Sequence, residues 1–206
     1  METQQKDTYR VVEKSGEGSY TEKRSRFLAF ARYVENEAEA KAAVEGFRKE
    51  YFDARHVCYA YVLGPTGDRV RVNDDGEPSG SAGRPILGQL VSYGVTQTLV
   101  VVVRYFGGVK LGTGGLAVAY KTAAAAALEN AEIGVRLVTV QMAVAVPYEL
   151  VDMALRVIRS CEAEVVSREY TDKETILALS VRQNNYRILR EQLARIYPLR
   201  FVEETE

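Results

Sequence analysis

Histidine occurs once in this chain and cysteine twice. Cys58 and Cys161 are too few for a disulfide framework and lack metal-ligand spacing, which fits a reducing compartment. No run reaches the roughly 20 apolar residues needed to span a bilayer, and the opening METQQKDTYR holds no apolar signal core. The expectation is a soluble cytoplasmic protein without membrane contact. An excess of either charge is also missing: 27 Lys and Arg stand against 28 Asp and Glu, a formal net charge of −1. Any nucleic-acid contact would therefore need a local basic patch, because the molecule has no basic field. Low-complexity tracts and short-period repeats are absent too. What is present is ordinary for a globular protein: 206 residues, 47% of them apolar, suit one large domain or two small ones with a sizeable core.

Hydrophobic spacing divides the chain. Strands are expected near Tyr9–Lys14 and Arg26–Tyr33, then a helix from a capping box, Asn36 with Glu39, to about Tyr51, with Ala40, Val44 and Phe47 on one face. His56–Leu63 and Arg69–Asn73 read as strands joined by Gly64-Pro65-Thr66-Gly67. A helix face follows at Ile86, Leu87, Leu90 and Val91, then a buried strand at Leu99–Val103 and an alanine-rich helix over Leu116–Glu129. Beyond Gly134 the pattern changes. Val140, Met142, Val144 and Val146 alternate up to Pro147; a helical set follows at Leu150, Val151, Ala154, Leu155 and Ile158. Strands come at Glu164–Tyr170 and Glu174–Arg182, a helix at Tyr186, Leu189, Leu193 and Ile196, and a short strand at Leu199–Glu203. That is the β-α-β-β-α-β order of a ferredoxin-like unit. The fold class is α+β, with domains over 1–134 and 135–206, and acids and bases balance within each.

Two glycine-rich polar stretches carry the candidate chemistry: DDGEPSGSAGRP over Asp74–Pro85, and VVVRYFGGVKLGTG over Val100–Thr113. Glycine lets several backbone N–H groups turn outward together, which suits an anion. Gly112-Thr113-Gly114-Gly115 opens a helix, where free N–H groups and the dipole favour negative charge, with Lys110 close by. The same glycines would equally serve close packing of a loop on a strand. The stretch matches neither a dinucleotide site, since it does not follow its strand directly, nor a Walker loop. Asp74, Asp75 and Glu77 have the oxygen ligands of a hard cation or an acid–base pair, yet Asp-Asp-Gly is also a plain turn, and Ser79 or Ser81 suits a helix cap. A serine nucleophile would have to borrow His56. His56 and Cys58 face one side of a strand but have no second pair for zinc. Arg84, Arg104, Lys110 and Lys121, interleaved with Tyr59, Tyr61, Tyr105 and Tyr120, are either a phosphate- and base-binding surface or scattered surface groups.

Taken together, His56-Val57-Cys58-Tyr59-Ala60-Tyr61, the 74–85 loop, the run from Val102 to Leu116, and Ala119-Tyr120 resemble the YigZ/IMPACT family. The resemblance covers most of residues 20–130. It implies a first domain of the two-layer α/β type found in ribosomal proteins and elongation-factor tails, and a ferredoxin-like second domain. Eukaryotic relatives are regulators of translation that carry a different extra domain, so their partner does not transfer directly. Val118 stands where many relatives have arginine, and Ser81 replaces a common threonine.

The expected function is accordingly a non-enzymatic, translation-linked binding protein. No catalytic residue, metal or cofactor is assigned. Its first domain would contact RNA, the ribosome or a translation factor. The anion site would be Lys110, Gly112, Thr113, Gly114 and Gly115. The partner-binding face would comprise His56, Asp74, Asp75, Glu77, Ser79, Ser81, Arg84, Arg104 and Lys110. Two alternatives stay open: an enzyme acting on a phosphorylated small molecule or nucleotide, and a purely protein-binding regulator.

Overall fold

The structure is a computed structural model and describes residues 7–202. The chain divides into two compact units, Tyr9–Arg136 and a second built from 137–202 with Asp7 and Thr8. In chain order the first unit runs β1 (Thr8–Lys14), β2 (Gly16–Glu22), β3 (Ser25–Tyr33), α1 (Glu37–Glu50), β4 (His56–Leu63), β5 (Arg69–Asn73), α2 (Gly83–Tyr93), β6 (Thr98–Tyr105), α3 (Gly112–Glu129) and β7 (Glu132–Leu137). Five strands form one antiparallel sheet in the order β2-β3-β6-β4-β5, while β1 and β7 form a separate ladder.

The sheet has two apolar faces because β6 is apolar at nearly every position. Val100 and Val102 pack with Cys58, Ala60, Ile86, Leu90, Ala119 and Ala123 beneath α2 and α3. Leu99, Val101 and Val103 pack on the opposite face with Ala40 and Val44 of α1. Alternate residues of a strand point to opposite faces, so a continuous apolar run requires cover on both. The unit therefore has three layers, with one helix on one side and two on the other, rather than the expected two.

Local signals explain several boundaries. The Asn36 carboxamide oxygen accepts the Glu39 N–H at 2.9 Å. Glu39 returns its carboxylate to the N–H of Glu35 at 2.8 Å, one residue before the N-cap. Strand β2 is not among the expected elements. Its glycines serve contact: a Cβ on Gly18 would lie 2.4 Å from the backbone N of Ala127, and one on Gly16 would lie 2.2 Å from that residue's carbonyl oxygen. Without side chains there, α3 lies directly on β2. Helix α3 starts at Gly112 rather than at Leu116, so Gly112-Thr113-Gly114-Gly115, expected to open the helix, form its first turn. Val91, expected on the apolar face of α2, is exposed because its side of the helix faces solvent.

The second unit runs β8 (Thr139–Pro147), α4 (Val151–Ser160), β9 (Glu164–Tyr170), β10 (Glu174–Arg182), α5 (Gln183–Leu193) and β11 (Arg200–Val202), with a short 3-10 turn over Tyr148–Leu150. Its sheet is antiparallel in the order β11-β8-β10-β9. Val144, Val146, Leu177 and Leu179 pack against Ala154, Ile158, Leu189 and Leu193 of the two helices. Gly134 lies inside β7, and the division falls between Arg136 and Leu137. Glu203, the expected end of the last strand, lies outside the described residues. Among the described residues no helix is long and apolar enough to cross a membrane.

Candidate functional site

Strands β4 and β6 pair so that His56 stands opposite Arg104. Both residues continue rows that face α2 and α3: Val100, Val102, Arg104 on one strand and Ala60, Cys58, His56 on the other. At the strand ends the apolar cover stops and a cavity of about 650 Å³ opens. Its polar floor is His56, Glu77 and Arg104; Pro78, Phe106, Leu111 and Leu116 form apolar walls; and Arg55, Lys110, Gly112 and Thr113 complete the lining.

The floor is a buried ion pair. The Glu77 and Arg104 side chains are 4% and 6% exposed and meet at 2.5 Å, through one carboxylate oxygen and Nη1. The same oxygen accepts the Tyr120 hydroxyl at 2.8 Å, and His56 Nε2 lies 3.8 Å away. The guanidinium also sits 5.5 Å from the ring centre of Phe27 and 5.6 Å from that of Phe106. Among the described residues its Nε–H finds no hydrogen-bond acceptor, an unmet demand in a group this deeply buried. His56 Nδ1 lies 2.7 Å from the Asp75 carbonyl oxygen. A carbonyl only accepts, so Nδ1 carries the proton and Nε2 is directed toward Glu77.

Behind the floor, Cys58 is inert. Burial pushes its thiol far up from the ordinary range, against the opposing effect of the hydrogen bond with Tyr120. Burial, then the neighbouring Cys58 and Glu77, likewise hold the Tyr120 phenol protonated. Cys58 Sγ donates to the Asp74 carbonyl at 3.1 Å and sits 3.3 Å from the Tyr120 oxygen. A buried thiol of raised pKa does not attack electrophiles.

The acidic loop has mainly a structural task. One Asp74 oxygen accepts the N–H groups of Ala82 and Gly83 at 3.0 and 2.8 Å, and the other that of Gly80 at 2.8 Å. Asp74 thus caps α2, the role expected of Ser79 or Ser81. Burial opposes its ionisation, but these three N–H groups outweigh that, and its carboxyl lies below the ordinary value. Asp75 accepts the Val57 N–H at 2.6 Å and Arg48 at 2.7 Å. Ser81 donates to the Pro78 carbonyl at 2.6 Å, and Ser79 is exposed. Among the described residues no three His, Cys, Asp or Glu side chains stand together to hold a metal ion.

The rim is basic. Lys110 and Arg55 are exposed, and the first turn of α3 carries no side-chain cap. Gly112 has φ of +72°, and a Cβ on it or on Gly114 would meet nothing within 4 Å. These two glycines are therefore not there for close packing.

Of the expected site residues, the cavity brings together His56, Glu77, Arg104, Lys110, Gly112 and Thr113. Asp74, Asp75, Ser79 and Ser81 belong to the supporting loop, while Arg84, Gly114, Gly115 and Val118 lie outside the lining. Arg104 is part of a buried floor rather than an open basic surface, and Tyr61 and Tyr120 are core residues that cannot stack on bases. Arg55, Pro78, Phe106, Leu111 and Leu116 are not among the expected site residues. The signal that points to them is Arg104 itself, a charge on the inward row of an otherwise apolar strand.

The Impact N-terminal domain family matches residues 23–128, just over half of the chain. IMPACT family member YigZ of Escherichia coli is 49% identical over 100 residues, 48% of this chain and 49% of that protein. IMPACT family member YvyE of Bacillus subtilis is 42% identical over 113 residues, 55% of this chain and 52% of that protein. The chain thus spans about half the length of these curated relatives. A crystal structure of a hypothetical protein superposes with a TM-score of 0.73 at 29% identity, over 98% of this chain and 100% of the other.

Proposed function

We propose, from the premise that this chain belongs to the IMPACT family, that it is a translation-linked binding protein whose first unit takes a phosphate group of RNA at the mouth of this cavity. The observation that carries the reading is the exposed Lys110 beside the uncapped start of α3, both lining the cavity where it opens. Lys110 and the N–H groups of Gly112, Thr113 and Gly114 would hold the anion, as the first turn of a helix has no internal acceptors for them. Gly115 lies one step further into the helix, where a Cβ would come within 3.2 Å of Leu111 Cβ. The family resemblance supports the translation link, and the ribosome is the expected source of the RNA. The β-α-β-β-α-β order of the second unit supports the reading of a ferredoxin-like second domain.

Ribosome co-sedimentation across a salt series tests this. Arg55→Ala with Lys110→Ala should weaken binding and lower the salt slope by roughly 0.7–0.9 for each phosphate that is no longer neutralised. Arg84→Ala, exposed but outside the lining, should leave binding as it is. If the double variant sediments like the parent at every salt concentration, the cavity does not bind the ribosome, and a protein partner on another surface becomes the leading reading.

A further inference from the structure

The charge distribution within the cavity says more about its ligand than its sign does. Glu77 neutralises Arg104 at the floor, so free positive charge sits only at the rim, on Lys110, Arg55 and the start of α3. An anion is therefore drawn to the rim and not inward. Between rim and floor the walls are apolar, made by Pro78, Phe106, Leu111 and Leu116. The volume of about 650 Å³ falls in the range of small-molecule sites, roughly 300–1,000 Å³. A phosphate alone would leave those walls wet. The floor offers polar partners to something uncharged: His56 Nε2 and the Glu77–Arg104 pair, which line the cavity at its base. Phe106 is half exposed, with the Arg104 guanidinium 5.6 Å from its ring. Aromatic rings and guanidinium planes are the surfaces on which nucleobases stack.

We infer that the cavity takes one unpaired nucleotide, its base stacked on Phe106 and directed at the Glu77–Arg104 floor, its phosphate at Lys110 and the first turn of α3. This rests on the anion reading above and adds what lies behind the phosphate. A free nucleotide and the terminal nucleotide of an RNA strand share this chemistry.

Calorimetric titration of the full chain with inorganic phosphate, ribose 5-phosphate, a nucleoside monophosphate and a short RNA bearing a terminal phosphate tests it. The monophosphate should bind at least about tenfold tighter than phosphate or ribose 5-phosphate, the contribution expected of one stacked base. Phe106→Ala should remove that gain and leave phosphate affinity unchanged, and Lys110→Ala should weaken all four ligands alike. Both residues are exposed enough that neither change threatens the fold. A short RNA that binds tighter than the monophosphate identifies a strand end as the source; one that binds weaker identifies a free nucleotide. A monophosphate no tighter than ribose 5-phosphate overturns the stacking inference while the anion site stands. If phosphate and monophosphate both fail to bind, the anion reading falls with it.

Discussion

Asp74 organises the loop beneath the site through three backbone N–H groups. Asp74→Asn keeps one acceptor oxygen but turns an amide donor toward the Gly80 N–H. Leaving a part-buried donor unsatisfied costs about 1–3 kcal/mol, so urea unfolding at neutral pH should show a loss of that order. The pH dependence follows from the lowered carboxyl pKa. Its ordinary value is 3.8, and the folded value lies beneath it. The stabilisation is therefore complete above that ordinary value and is lost as pH falls through the folded one. Melting curves taken down this acid limb should be flatter in the Asn variant than in the parent. A parallel pair of limbs would show that Asp74 does not carry the effect. Sequence alone separates these acids poorly. Asp74, Asp75 and Glu77 look equivalent in DDGE, and only the fold of the loop after β5 puts Glu77 beside Arg104. That loop also turns an arginine that reads as surface charge into a buried partner.

At the scale of elements, the strands with strong turn signals are legible: β4 and β5 carry β-branched and aromatic residues on either side of Gly64-Pro65-Thr66-Gly67, and their bounds follow. Strand β2 is not, because Gly16-Glu17-Gly18-Ser19 has little strand propensity. Its glycines answer to α3, more than a hundred residues away in the chain. Gly18→Val would drive a side chain into the Ala127 backbone and should destabilise at the upper end of the roughly 1–3 kcal/mol typical of overpacking, or beyond it. Gly114→Ala places its Cβ in open space within a helical turn, and should be neutral or stabilising by up to about 1 kcal/mol. Thermal melts of the two variants side by side check both. A tolerated Gly18→Val would mean that α3 does not lie on β2 as described. The three-layer arrangement is legible only in part: the apolar run of β6 announces burial on both faces, but not which helix covers which.

For the whole molecule, the division between Arg136 and Leu137 implies that the second unit's six elements hold their own core. A fragment covering 137–206 should give a cooperative melt and a mixed circular-dichroism spectrum; a chain without either would count against autonomy. The scarcity of cysteine then becomes useful. Cys58 and Cys161 are both free and buried, one in each unit. A thiol reagent reaches a buried cysteine only when its surroundings open, so labelling rates read the free energy of that opening. The protein thus carries two intrinsic clocks, one per unit, with no engineered probe. If the units open independently, the two thiols should label at different rates, and Asp74→Asn should quicken Cys58 while leaving Cys161 at its own pace. If both rates rise together, the two units share one opening event.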